Sequence, residues 1–212
     1  MHVGAALVAF AACVAAHPAM AEQVSVVERD GQRVVISVPV DVVGADAALL
    51  MRWQRAIDRA WNRGNDGRPF TTCGVEVVIK PRFTVKAEPT PSKTSHLVVV
   101  RNVRPGEPYV SSVWHALGTS PSYSPRTGYW GSNMNADTVA HEVGHVLGLL
   151  DEYVEGDLNA NGLREPGERP VPDTRRHPDA WVSLMANEHG AVLNRHIREI
   201  LRMHGADESC DK

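Results

Sequence analysis

The chain is 212 residues long and 43% apolar, with 22 Lys and Arg against 25 Asp and Glu and a formal net charge of −3. That length supports one domain with a substantial core and leaves too little for two comfortable ones. Without a basic footprint, a nucleic-acid or anionic-membrane partner is not expected, and no stretch is long and apolar enough to read as a membrane span.

Residues 1–21 contain no Asp, Glu, Lys or Arg, run apolar from Val3 to Ala16 and end in Ala19-Met20-Ala21. This reads as a secretory signal peptide with a small-x-small cleavage site, although the positive charge usual at its start is missing. Lipidation at Cys13 is the alternative, and Phe10-Ala11-Ala12-Cys13 matches it poorly. The expected division is therefore a signal peptide at 1–21 and one domain at 22–212, secreted to an extracellular or periplasmic space. Of the three cysteines, Cys73 and Cys210 remain after cleavage. In an oxidising compartment they read as one disulfide, with two free thiols as the alternative.

Residues 23–40 alternate apolar and polar around Asp30-Gly31, so Val24 to Glu28 and Val34 to Val40 are expected to pair as a hairpin. Leu50, Trp53, Ile57, Ala60 and Trp61 then recur at helical spacing, with Arg52, Arg55, Asp58 and Arg59 opposite and Gly64 as a stop. The β-branched runs Val75 to Ile79 and Leu97 to Val103 read as strands. From 105 to 134, Pro, Gly and Ser are dense, which predicts a long irregular loop. Its aromatics Tyr109, Trp114, Tyr129 and Trp130 are candidates to line a substrate groove, with ordinary packing as the alternative. A helix over Ala136 to Leu149 is expected behind Asn135 as its cap, with Asp137 in the first turn. A last helix, Val192 to His204, stops at Gly205.

The second of these helices carries the chemistry. Residues 141 to 151 read His-Glu-Val-Gly-His-Val-Leu-Gly-Leu-Leu-Asp. On a helix, His141 and His145 project from one face a turn apart, close enough to share a tetrahedral Zn²⁺ at about 2.0–2.1 Å from each nitrogen. Glu142, rotated about 100° around the helix, misses the metal and reaches a water beside it, the place of a general base. Gly148 lets the chain leave the helix through a left-handed or otherwise tight turn, which can bring Asp151 back as third ligand. Spacing alone leaves Glu152 as a competing third ligand. Val139, Ala140, Val143, Val146, Leu147, Leu149 and Leu150 make the segment apolar on nearly all sides. Two imidazoles and a carboxylate buried there without a partner would be costly, and a cation offsets that cost. The competing reading is a chance pattern on a solvated helix face.

Further on, Asp157-Leu-Asn159-Ala-Asn161-Gly162-Leu163-Arg-Glu165-Pro-Gly-Glu168 fits a calcium loop of EF-hand type. Asp157, Asn159, Asn161, Glu165 and Glu168 would offer side-chain oxygens and Leu163 its carbonyl. Pro166, Pro170 and Pro172 argue against a helix leaving it, and a solvated Asn-Gly turn that binds nothing is the alternative. Such a loop, directly after Asp151, is expected to hold that ligand in place.

His141-Glu142-x-x-His145-x-x-Gly148-x-x-Asp151 resembles the extended zinc signature of the metzincin metalloendopeptidases, in the variant with Asp as third ligand found in snapalysin-like small neutral proteinases. Metzincins carry a methionine turn beneath the metal, and Ser183-Leu184-Met185-Ala186-Asn187 is similar in position and character. The resemblance covers 141 to 153 and 183 to 187. It implies an α+β fold: a single metzincin-like domain with a twisted mixed sheet, N-terminal hairpin, zinc-binding helix, methionine turn and C-terminal helix. The tyrosine that some members carry two residues after the methionine is here Asn187, so no phenol from that turn serves the site.

The expected activity is that of a secreted zinc endopeptidase acting on protein or peptide substrates, with Glu142 as base. The negative charge of an Asp ligand predicts an activity optimum near or above neutral pH. Two alternatives share these residues: a zinc hydrolase of a non-protein amide such as a cell-wall peptide bond, and a non-catalytic module that keeps metal for structure. His115 and His177 lack companions at ligand spacing and are read as structural or surface residues. Tyr153 is a candidate hydrogen-bond donor behind the site. Glu165 and Glu168 are poorly placed as a distant third zinc ligand.

Overall fold

The structure is a computed structural model that describes residues 25–64, 66–72, 74–103, 112–113, 127–154, 171–187 and 189–206. The expected signal peptide, both cysteines of the expected disulfide, the calcium loop at 157–168, and Tyr109, Trp114 and His115 lie outside these residues.

Strands β1 (Val26–Asp30) and β2 (Arg33–Val43) form the expected antiparallel hairpin, closing from Asp30 to Arg33 over Gly31, whose φ of 56° needs a residue without a Cβ. β2 is the spine of the sheet. One edge pairs in parallel with β4 (Val75–Lys86) along its whole length. The other edge is shared: β1 covers Arg33 to Ser37, and β5 (His96–Arg101) covers Val40 to Val43 in parallel. Pro39 has no N–H to give to a ladder and falls in the gap between these two partners. The short β3 (Thr71–Thr72) pairs with the start of β4. β7 (Thr127–Gly131) lies parallel to β5, with β6 (Ser112–Val113) antiparallel beyond it. The stretch expected as one irregular loop from 105 to 134 thus contributes two strands to a seven-stranded mixed sheet.

β2 alternates as a half-buried strand should, with Val34, Ile36, Val38, Val40 and Val42 all buried. Helix α1 (Ala47–Trp61) starts at Asp46, whose side chain accepts the N–H of Leu49 at 2.7 Å, and buries Trp53, Ile57 and Trp61. α2 (Ala136–Val146) packs against α1, and Trp61 Nε1 donates to the carbonyl of Ala140 at 2.9 Å inside the contact. A 3-10 turn at Ala180–Val182 precedes α3 (Asn194–Met203), which adds Ile197, Ile200 and Leu201 to the same core. A ribbon of β8 (Tyr153–Val154) and β9 (Val171–Pro172) brings the two ends of segment 155–170 together. The result is a single α+β domain, and the described residues contain no helix long and apolar enough to cross a membrane.

Candidate metal centre

α2 opens as its sequence predicts: the side chain of Asn135 accepts the N–H groups of Asp137 at 2.9 Å and Thr138 at 2.8 Å. Its helical turns end at Val146, short of the expected Leu149, because the last carbonyls are closed differently. Gly148 N–H bonds to His145 and Leu149 N–H to Gly144, both at 2.9 Å, with Gly148 at φ 98°. This is a Schellman closure, which only a left-handed residue permits. It reverses the chain and returns Asp151 to the helix.

His141 and His145 stand a turn apart with rings perpendicular and centroids 4.8 Å apart. Each Nδ1 faces a carbonyl, that of Leu184 at 2.8 Å for His141 and that of Leu149 at 2.9 Å for His145. A carbonyl only accepts, so both Nδ1 atoms carry protons, and the Nε2 lone pair of each neutral ring points inward. Asp151 Oδ1 lies 3.2 Å from both Nε2 atoms. Three electron-pair donors therefore converge, which is repulsive unless a cation sits among them or a ring takes a second proton. A tetrahedral ion with bonds of about 2.0–2.1 Å sets its ligand atoms about 3.3 Å apart, close to the spacing found. His141, His145 and Asp151 thus form a group able to hold a metal ion, the one such group among the described residues.

The acid–base balance points the same way. Burial pulls the His141 imidazole down, but Asp151, the Leu184 carbonyl and the Glu142 carboxylate outweigh it and raise its affinity for a proton. Burial pushes the Asp151 carboxyl up, and the two imidazoles overcome this and hold it well below the usual carboxylate range. The group attracts positive charge from either side of the equilibrium.

Glu142 is buried on the same helix, close enough to act electrostatically on His141. Of the two candidate third ligands, the structure brings Asp151 into the group and turns Glu152 away. The Glu152 carboxylate is buried instead among Ser183, Arg195 and His196. Met185 is fully buried beneath the helix, and a Cβ on Gly144 would lie 2.3 Å from its Sδ and 3.2 Å from Trp61 Cζ2. Gly144 is thus the notch that seats the methionine. A second close approach fixes the turn: a Cβ on Gly190 would fall 2.3 Å from the Ser183 carbonyl oxygen.

Of the aromatics proposed for a groove, Trp130 belongs to the core, edge-on to Trp53 with centroids 5.0 Å apart, and Tyr129 has the Arg101 guanidinium 4.2 Å over its ring. His177 stands 3.9 Å from Glu152 Oε1, outside the ligand group. Tyr153 lies in β8. Arg195, His196 and Gly144 escaped the sequence reading, and Ser183 entered it only as part of the methionine turn. A glycine in mid-helix, which costs about 1 kcal/mol against alanine, was the available signal for Gly144.

Comparison with protein-family models finds no match, and comparison with curated proteins finds no significant relative.

Proposed function

We propose that the chain is a secreted zinc-dependent endopeptidase of metzincin type, with His141, His145 and Asp151 as ligands and Glu142 as general base. The observation that carries this reading is the convergence of three lone pairs, two of them on imidazoles whose other nitrogens are fixed as donors. Two imidazoles and one carboxylate are a donor set suited to Zn²⁺. A zinc ion bound there supplies Lewis acidity toward a scissile carbonyl and toward water.

The remaining work falls to the chain. The carbonyls of Leu184 and Leu149 keep both rings in one tautomer and orientation, the usual task of groups behind metal ligands. Glu142 takes the proton of the attacking water and delivers it to the leaving amine. The buried methionine under Gly144 and the extended signature from His141 to Asp151 support the same assignment.

The test is to purify the chain, measure its metal content, and assay it on casein and on peptidoglycan with and without a chelator. One zinc per chain and casein hydrolysis that chelation abolishes and zinc restores are expected. Hydrolysis of peptidoglycan alone would move the substrate to cell-wall amides. A chain that binds no transition metal would overturn the reading.

A further inference from the structure

We infer that Glu152 is a positioning residue whose buried carboxylate holds the neighbouring Asp151 in place as a ligand and ties it to the turn beneath the imidazoles. The inference rests on the metal reading and deepens it.

The chain returning from α2 is exposed where the ligand stands. Leu150 is 56% exposed and the Asp151 side chain 35%, so neither is held by packing. The next residue, Glu152, is only 7% exposed, and its polar atoms are engaged on every side. Its N–H donates to the Met185 carbonyl at 2.9 Å and its own carbonyl accepts from Asp173 N–H at 2.7 Å. The Arg195 guanidinium donates to Oε2 at 2.7 Å, and the Ser183 hydroxyl donates to the same oxygen. His196 Nδ1 accepts from Leu193 N–H at 3.1 Å, and its Nε2 lies 3.1 Å from Oε1 and 2.5 Å from Arg195 Nη1. Arg195 reaches on to Asp179 at 2.9 Å.

These partners come from three separate places: Asp173 just after β9, the methionine turn and the first turn of α3. The methionine turn feeds back to the site. The Ser183 hydroxyl also accepts Met185 N–H at 3.1 Å, and Leu184, between those residues, supplies the carbonyl that orients His141. Glu152 therefore fixes one ligand through the peptide bond they share and a second through the turn it braces.

The experiment measures zinc dissociation constants by chelator competition, and the visible spectrum of the Co²⁺-loaded protein, for the unaltered chain, Glu152→Gln and Arg195→Met. Groups behind metal ligands typically control affinity by about 10- to 100-fold. Glu152→Gln is expected to weaken zinc binding by about that factor and to alter the Co²⁺ spectrum, and Arg195→Met to do so to a smaller extent. A folded Glu152→Gln with unchanged zinc affinity and Co²⁺ spectrum overturns the inference, even if its melting temperature falls. Should Glu152→Gln fail to fold, the same criterion is applied to Arg195→Met. Failure of the unaltered chain to bind metal sinks the metal reading and this inference together, whereas unchanged binding in the variants sinks this one alone.

Discussion

Glu142 sits between the two proposed histidine ligands in sequence, about 100° around the helix from His141 and about 60° from His145, beside the ligand group and not in it, which separates binding from turnover. Glu142→Gln keeps the shape of the side chain and removes its capacity to take a proton. The variant is expected to retain one zinc per chain and to lose casein hydrolysis by at least about 100-fold, the lower end of general acid–base contributions. Metal analysis and a progress curve on one preparation decide it. Gly144 makes the converse case, a residue without chemistry on which the site rests. Gly144→Ala drives a methyl group into the Met185 sulfur. Overpacking of this kind costs about 1–3 kcal/mol, visible as a lower denaturant midpoint in the metal-free protein. At this scale the ligand pattern was legible because it is local, with both histidines on one helix. The groups behind it were not, since His141 depends on a carbonyl at Leu184 and Asp151 on a carboxylate whose partners stand at 183, 195 and 196.

Hairpins and amphipathic helices declare themselves through neighbours in sequence, and β1, β2, α1 and α3 followed their patterns to within a few residues at most ends. β7 did not. Thr127–Gly131 contains two glycines, which strands ordinarily avoid, and its partner β5 lies in parallel across a long connection with no turn to announce it. β2 also runs past its expected end, because Asp41, polar in a strand interior, is satisfied by the Ser95 hydroxyl at 2.7 Å and by Lys86 at 3.7 Å. The β8–β9 ribbon bears on the proposed calcium loop. It pairs Val154 with Val171 immediately after Glu152, which leaves a very short path from the proposed calcium loop to the ligand loop. With Asp157, Asn159, Asn161, Glu165 and Glu168 holding calcium, its removal is expected to weaken zinc binding and lower the melting temperature. Titrating the zinc-loaded protein with a calcium-selective chelator checks this, and no change in either quantity would refute it.

At the scale of the whole molecule, His204 joins remote parts of the chain. His204, at the end of α3, lies against the carbonyl of Leu147 at the end of α2 and against the hydroxyl of Ser25 ahead of β1. Burial lowers its affinity for a proton, and the Leu147 carbonyl only partly offsets this. At this position the unfolded chain, with an ordinary histidine near 6.5, binds more protons than the folded one, so the contribution of His204 to stability falls as the pH drops below about 6.5. His204→Gln, which cannot be charged, is expected to flatten that decline. Denaturation midpoints of the metal-free protein between pH 7.5 and 5.5 would show it, and parallel curves for the two proteins would count against it.

The bond from His141 to Leu184 spans 43 positions. A polypeptide still emerging from the ribosome, or one clipped before residue 184, already displays the whole histidine–glutamate run but lacks the carbonyl that aims its first imidazole and the sulfur that props its helix. The three-residue group therefore reaches its full arrangement only once residues 184 and 185 have joined the fold.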